Sequence, residues 1–400
     1  MRIRPAAFLL LLLLVVAAAQ AQVPAPPGVV TVKMKSTHLD EERVFFIRTP
    51  AGYDRSTTSR HPVLYLTDGE NNLAHTLATI DFLARNGRMQ TPIVVGIANT
   101  DRTRDLTPTR AVFAPEGRRF DTPTAGGANN FLDFIEKELI PLVGKNYRTV
   151  PYRIFAGHSF GGLFAMHAFA TRPHLFNAVV AVSPTLNWDN RYVERNLDAL
   201  LSSNRELRST LFISVGDEGR ELAESFARVK KLLEARAPAG LDWKMQEFLD
   251  EDHGSVLLPT HYYAFRHIYE GWAVPRDPLT NQIAGIERVD AHYRKLSEKF
   301  GYEIPVPEAV LNVLGYQLMG NGRHDEAIAL FERNAAAYPD SANVYDSLGE
   351  AYEKSGRTAL ARDTYRKAVE IGRKSNDPNL AIFKQNYERA KKAAKTTAAK

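Results

Sequence analysis

Cysteine is absent from this 400-residue chain. That excludes disulfides, thiol nucleophiles, thiolate metal sites and lipid attachment at a cysteine. It does not report the compartment, because a core of about 300 residues needs no covalent staples. Metal chemistry has little support either: there is no H-E-x-x-H stretch and no close histidine pair with a carboxylate. No resident metal or organic cofactor is expected. Charge of one sign is not in excess: 51 Lys and Arg stand against 46 Asp and Glu, a net +5 of which Arg2 and Arg4 supply two. Such a balance points to no nucleic-acid partner, and the cluster Arg389, Lys391, Lys392, Lys395 and Lys400 reads as a solubilising tail. Long hydrophobic runs are scarce. The single one, 6–19, falls short of the about 20 residues a membrane-spanning helix needs, so no membrane span is expected.

What that run does have is context. Arg2 and Arg4 precede it and Ala19-Gln20-Ala21 follows it, which is the three-part pattern of a secretory signal peptide cleaved near Ala21. The arginines are not adjacent, which argues against a twin-arginine signal. The mature protein is expected to be exported, periplasmic or secreted.

Length predicts two domains. After a Pro-rich leader at 22–28, strand-like alternation at 29–35 and 43–49 predicts an antiparallel edge pair. Continuous apolar runs at 62–67, 92–98, 153–158, 178–183 and 210–215 have the character of buried strands, and 243–248 reads as the last strand. Helical stretches follow most of them, near 72–86, 131–143, 190–202, 220–235 and 260–271. Alternating buried strands and helices imply βαβ units and a mostly parallel sheet covered on both faces. The fold class is therefore α/β, with an α/β-hydrolase architecture over 29–273.

Gly157-His158-Ser159-Phe160-Gly161 fits the G-x-S-x-G elbow, a strand–turn–helix in which a strained serine stands clear of the sheet. The helix that opens here is expected to be amphipathic. With glycine at roughly 7% of residues, about one chain of this length in eight would carry the pattern by chance, so its surroundings must decide. A serine nucleophile needs a base, an acid that orients the base, and amide donors for the oxyanion. In α/β-hydrolases these follow in the order Ser, acid, His. His253, in the loop after the strand 243–248, is the histidine in such a place. Three carboxylates, Asp217, Glu218 and Glu221, compete behind the strand 210–215, and Glu218 is favoured. The oxyanion donors are expected at the amides of Phe160 and of Gly69 or Glu70. Arg102 and Arg104 leave the carboxyl end of a parallel strand, where such sheets bind ligands. They either hold an oxygen-rich substrate or lock their loop through Asp105. Trp188 either walls the pocket or belongs to the core.

Beyond Pro275 the pattern changes to helices. A stretch at 274–307 holds a charged helix, 286–300. Then Leu314-Gly315 recurs as Leu348-Gly349, Gly322 as Gly356, Ala327 as Ala361 and Phe331 as Tyr365, every pair 34 residues apart. That is the tetratricopeptide period. Repeats are placed at 308–341 and 342–375, with a capping helix to 394 and a basic tail at 395–400. Two repeats are fewer than stability usually demands, so the helix 286–300 or the hydrolase surface is expected to complete the stack.

Residues 29–272 resemble the esterase family that includes enterochelin and other siderophore esterases, within the esterase D group. The resemblance is carried by Val63-Leu-Tyr-Leu-Thr-Asp-Gly69, Asp101-Arg-Thr-Arg-Asp-Leu-Thr-Pro108, Gly126-Gly127 with the helix 131–141, Gly157-His-Ser-Phe-Gly-Gly162 and His253-Gly-Ser-Val256. It implies a serine esterase with Ser159 as nucleophile and His253 as base, acting on a small-molecule ester. Two other readings are compatible with the residues: a non-catalytic protein that binds a protein partner through its repeats, and a serine peptidase on the same fold.

Overall fold

A computed structural model describes residues 26–111 and 122–398. The expected signal peptide lies outside the described residues, as does most of the leader. An eight-stranded sheet runs in the order β1-β2-β4-β3-β5-β6-β7-β8. Its strands are β1 (Val29–Lys35), β2 (Glu42–Arg48), β3 (His61–Leu66), β4 (Ile93–Ile97), β5 (Thr149–His158), β6 (Ala178–Val182), β7 (Ser209–Gly216) and β8 (Leu241–Phe248). The β1–β2 and β2–β4 pairs are antiparallel and every other pair is parallel. Strands β4, β6 and β7 are buried at every position. That is why they read as unbroken apolar runs rather than as alternation.

Helices cover both faces. Those of the hydrolase part are α1 (Gly69–Arg85), α2 (Arg102–Leu106), α3 (Ala128–Phe134), α4 (Ile140–Asn146), α5 (Phe160–Thr171), α6 (Trp188–Ser203), α7 (Arg220–Arg236) and α8 (Leu257–Ile268). A π-helical segment, Ile135–Leu139, joins α3 to α4. The N-cap of α3 is Gly127. The expected amphipathic character of α5 is not found. Every residue from Gly161 to Ala170 is buried, because the helix lies between the sheet and the helices α2 and α6. A helix covered on all sides has no polar stripe to show.

The helical part comprises α9 (Ile286–Phe300), α10 (Glu308–Gly320), α11 (His324–Ala337), α12 (Ala342–Lys354), α13 (Thr358–Lys374) and α14 (Leu380–Ala398). At the crossing of each repeat pair stands a glycine against an aromatic ring. A Cβ on Gly315 would lie 2.6 Å from the Phe331 ring, and one on Gly349 2.7 Å from that of Tyr365. Larger residues would hold the helices apart, which explains why these positions recur. One apolar cluster runs from the sheet (Leu64, Ile154, Val180) through α8 and α9 (Phe265, Val289, Phe300) to Leu311, Leu314 and Leu330 of the repeats. The helix α9 is therefore a packed wedge and not a spacer. Arg389, assigned to a solubilising tail, instead forks onto Glu353 at 2.8 and 3.0 Å from within α14. Among the described residues no helix is long and apolar enough to cross a membrane.

Candidate active site

The site lies at the carboxyl ends of β3, β5, β6, β7 and β8. Ser159 sits between β5 and α5 with φ 60° and ψ −114°, a region that costs a non-glycine residue about 1–3 kcal/mol. Its surroundings hold it there. The Ser159 N–H donates to Val182 O at 3.0 Å, and its carbonyl accepts from Leu163 N–H at 2.9 Å. A side chain at 157 would overlap the carbonyl of Gly161, and one at 161 would overlap the Thr67 hydroxyl. The turn closes only because both are glycine.

His253 is carried by a loop that Asp252 organises. The Asp252 carboxylate accepts from the N–H groups of Gly254 and Ser255 at 2.9 and 2.8 Å, and Asp252 N–H donates to Ser255 Oγ at 2.9 Å. The His253 side chain is about half exposed and its Nδ1 bonds Glu218 Oε2. An ionised carboxylate only accepts, so Nδ1 carries the proton and Nε2 is left bare. His158, next to Ser159, packs its ring 4.6 Å from that of His253 and bonds His253 O from Nε2 at 2.6 Å. Burial, with the nearby His253 adding to it, holds His158 down at about 4, so it stands as a neutral donor. Among the described residues no hydrogen bond joins Ser159 Oγ to His253. Such bonds are often long in unliganded sites and close when substrate binds.

Of the three competing carboxylates, Glu218 is the one on His253. Its side chain is only 4% exposed. Oε1 accepts from Ser183 Oγ–H and, at 3.0 Å, from Gly216 N–H. Burial pushes this carboxyl upward, but the hydrogen bonds from His253, Ser183 and Gly216 outweigh it and hold it below the usual carboxylate value. The approach depends on Gly216, where a Cβ would stand 2.5 Å from Glu251 O. Without one, Asp217 N–H reaches Glu251 O at 2.7 Å and ties the end of β7 to the His253 loop. Asp217 itself is exposed, and Glu221 accepts from Asn187 Nδ2 at 2.6 Å.

The expected oxyanion segments flank the serine. Phe160 follows it directly, and Gly69 and Glu70 open α1, where N–H groups have no intrahelical acceptor. Asp68, in the left-handed region at φ 55°, turns the chain into α1. Arg102 does not stand free for a ligand. Its Nε and Nη2 reach the Asp68 carboxylate at 2.5 and 3.2 Å, and Nη2 also reaches His158 O at 3.2 Å. Its guanidinium lies 5.5 Å from the centre of the Phe160 ring. Arg104 is engaged by carboxylates too. It forks onto Glu41 at 3.1 and 2.6 Å and bonds Asp105 at 2.8 Å, beside the fully buried Arg43, which takes Asp105 and Glu41 at 2.6 and 2.8 Å. Trp188 is buried, donates to Thr109 Oγ1 at 3.0 Å, and sets its ring edgewise to Phe160 at 5.5 Å. Ser183, His158 and Asp68 escaped sequence reasoning. His158 lies at a variable position of the Gly157–Gly161 elbow and Asp68 inside the quoted Thr-Asp-Gly stretch, but neither motif requires that residue type there, and Ser183 carries no motif at all.

The arrangement has clear relatives. The family model described as "Putative esterase" matches residues 36–264, and a tetratricopeptide-repeat model matches 307–374. The ferri-bacillibactin esterase BesA of Bacillus subtilis is 27% identical over 260 residues, 58% of this chain and 86% of that protein. A siderophore enterobactin esterase of Emericella nidulans is 32% identical over 199 residues, 42% of this chain and 66% of that one. Among solved structures, an IroE-like serine hydrolase from Shewanella oneidensis is 30% identical with a TM-score of 0.66, over 74% of this chain and 95% of that one. With that match over more than half its length, the chain belongs to this esterase family and is a carboxylic ester hydrolase with a C-terminal tetratricopeptide segment.

Proposed function

We propose that the protein is an exported serine esterase acting through an acyl-enzyme on oxygen-rich esters of the siderophore class. The observation that carries the mechanism is the buried Glu218 carboxylate on His253 Nδ1, which leaves Nε2 bare at the loop beside the strained Ser159. Ser159 Oγ attacks the ester carbonyl carbon while His253 Nε2 takes its proton. Glu218 keeps the imidazole in the useful tautomer and stabilises the imidazolium. The tetrahedral oxyanion rests on the amide of Phe160 and on that of Gly69 or Glu70. Collapse expels the alcohol, which receives the proton from His253. Water then attacks the acyl-enzyme by the same route and releases the acid.

The substrate class rests on the names of the relatives, which are siderophore esterases. Export rests on the signal-peptide pattern ahead of residue 22. The repeats supply a surface for a protein partner. The test is fluorophosphonate labelling of the mature protein beside Ser159→Ala, with hydrolysis of p-nitrophenyl acetate and of a catecholate trilactone as the readouts. Labelling and turnover lost only in the variant support the reading. An unlabelled, inactive wild type removes it.

A further inference from the structure

The acid of the site is held by a residue that no motif marks. Ser183 follows β6, is fully buried, and adopts φ 41° immediately before Pro184. That conformation is strained, because a Cβ disfavours positive φ. Strain of this kind persists only where the surroundings over-determine it, and here they do. The Ser183 N–H donates to Ser214 O at 2.9 Å, carrying the β6–β7 ladder one residue further. On either side of it, Val182 O accepts from Ser159 N–H at 3.0 Å and Thr185 N–H reaches Ser159 O at 3.4 Å. The elbow helix presses on the same turn, since a Cβ on Gly162 would lie 2.8 Å from Val182 O and 3.0 Å from Pro184. One four-residue turn thus grips the nucleophile through its backbone and the acid through a side chain.

We propose that Ser183 is a positioning residue for ester hydrolysis, its hydroxyl fixing the Glu218 carboxylate so that one oxygen faces His253. This rests on the Ser159–His253–Glu218 reading above. The hydroxyl and the Gly216 N–H both bond Oε1, which leaves Oε2 for the imidazole. Without the hydroxyl, Oε1 keeps one donor and the carboxylate gains freedom to turn away. His253 is the titratable side chain bonded to Glu218, and His158 and Asp252 face His253 from β5 and from its own loop. Either change, the lost donor or the freed carboxylate, alters the proton affinity of the Glu218–His253 pair as a unit, so the acid limb of its rate profile moves.

The experiment compares Ser183→Ala and Ser183→Gly with wild type, Ser159→Ala, Glu218→Gln and the double variant Ser183→Ala/Glu218→Gln on p-nitrophenyl acetate. Glycine removes the backbone strain as well as the hydroxyl, so it decides the matter should the alanine variant not fold. The expected result is a loss of about tenfold in kcat for both, KM within about twofold, the acid limb displaced from its wild-type position, and little further loss when Ser183→Ala is added to Glu218→Gln. Wild-type kcat and an unmoved limb in a folded Ser183→Gly protein overturn the proposal. So does an equal loss in the Glu218→Gln background, which would mean that Ser183 acts on the fold alone. Retained turnover in Ser159→Ala would instead remove the reading beneath it.

Discussion

Glu218→Gln removes a charge and almost no volume, and its consequence follows from the donors around the carboxylate. Glu218 Oε1 meets Ser183 Oγ–H and Gly216 N–H, and Oε2 meets His253 Nδ1. A glutamine has one oxygen and one NH2 for these two sides. With the oxygen toward Gly216, the NH2 faces Nδ1 and forces the imidazole to carry its proton on Nε2, where it cannot accept one from Ser159. With the side chain flipped, the NH2 faces the Gly216 N–H. The Ser183 hydroxyl can rotate to accept, but a backbone N–H cannot, and a buried unsatisfied donor costs about 1–3 kcal/mol. Taking about 2 kcal/mol, the productive tautomer falls to roughly one molecule in thirty. The imidazolium also loses its anionic partner, a charge-assisted bond of about 1.5–3 kcal/mol, which gives a further factor of ten or more. The expected loss in kcat is about 10² to 10³, with KM little changed, measured by steady-state hydrolysis of p-nitrophenyl acetate near neutral pH. Asp217→Asn and Glu221→Gln should stay within about threefold. Equal activity in all three variants would refute the assignment of the acid.

Three further outcomes concern stability. Phe300 meets Tyr152 of β5 and Trp272 edge-to-face at 5.0 and 5.5 Å between ring centres and stacks on Tyr269 at 5.2 Å. Phe300→Ala should therefore cost about 3–5 kcal/mol and lower one shared melting transition of hydrolase and repeats, and a chain cut near Asp277 should be insoluble. Two separate calorimetric transitions, with only the repeats destabilised, would contradict this. Glu138, on the π-helical segment, bonds the backbone N–H groups of Thr37 and His38 at 3.0 Å each. Burial pushes its carboxyl up, but the donors of Thr37, His38 and Ser36 outweigh it and hold it at about 2. Its unfolded value is about 4.3. The folded value is depressed, so its stabilisation is complete above pH of about 4.5 and is lost as pH falls toward about 2. Glu138→Gln should cost about 1–2 kcal/mol in urea unfolding at pH 7, with the gap to wild type closing over that acid window. A gap independent of pH would contradict the account.

The features legible in the sequence are those whose physical cause is local in the chain. The Gly157–Gly161 elbow announces itself because strand, turn and helix collide unless two nearby positions lack side chains. The repeat period shows because each helix crossing needs its own glycine and aromatic ring, at Gly315 with Phe331 and again at Gly349 with Tyr365. Parallel strands show because full burial leaves unbroken apolar runs. Tertiary structure decided what depends on partners far along the chain. Asp217, Glu218 and Glu221 are equivalent by spacing, and the choice among them is made where the missing Cβ of Gly216 lets the His253 loop close on β7. Arg102 and Arg104 follow a strand end as ligand-binding residues would, yet one is taken by Asp68, which caps α1, and the other by Glu41, in the turn before β2. The polarity of α5 could not reveal that it is buried on every side, since a helix shows a stripe only where water touches it. Ser183 has no signature at all. Its hydroxyl matters only because β6, the elbow and the end of β7 meet around it.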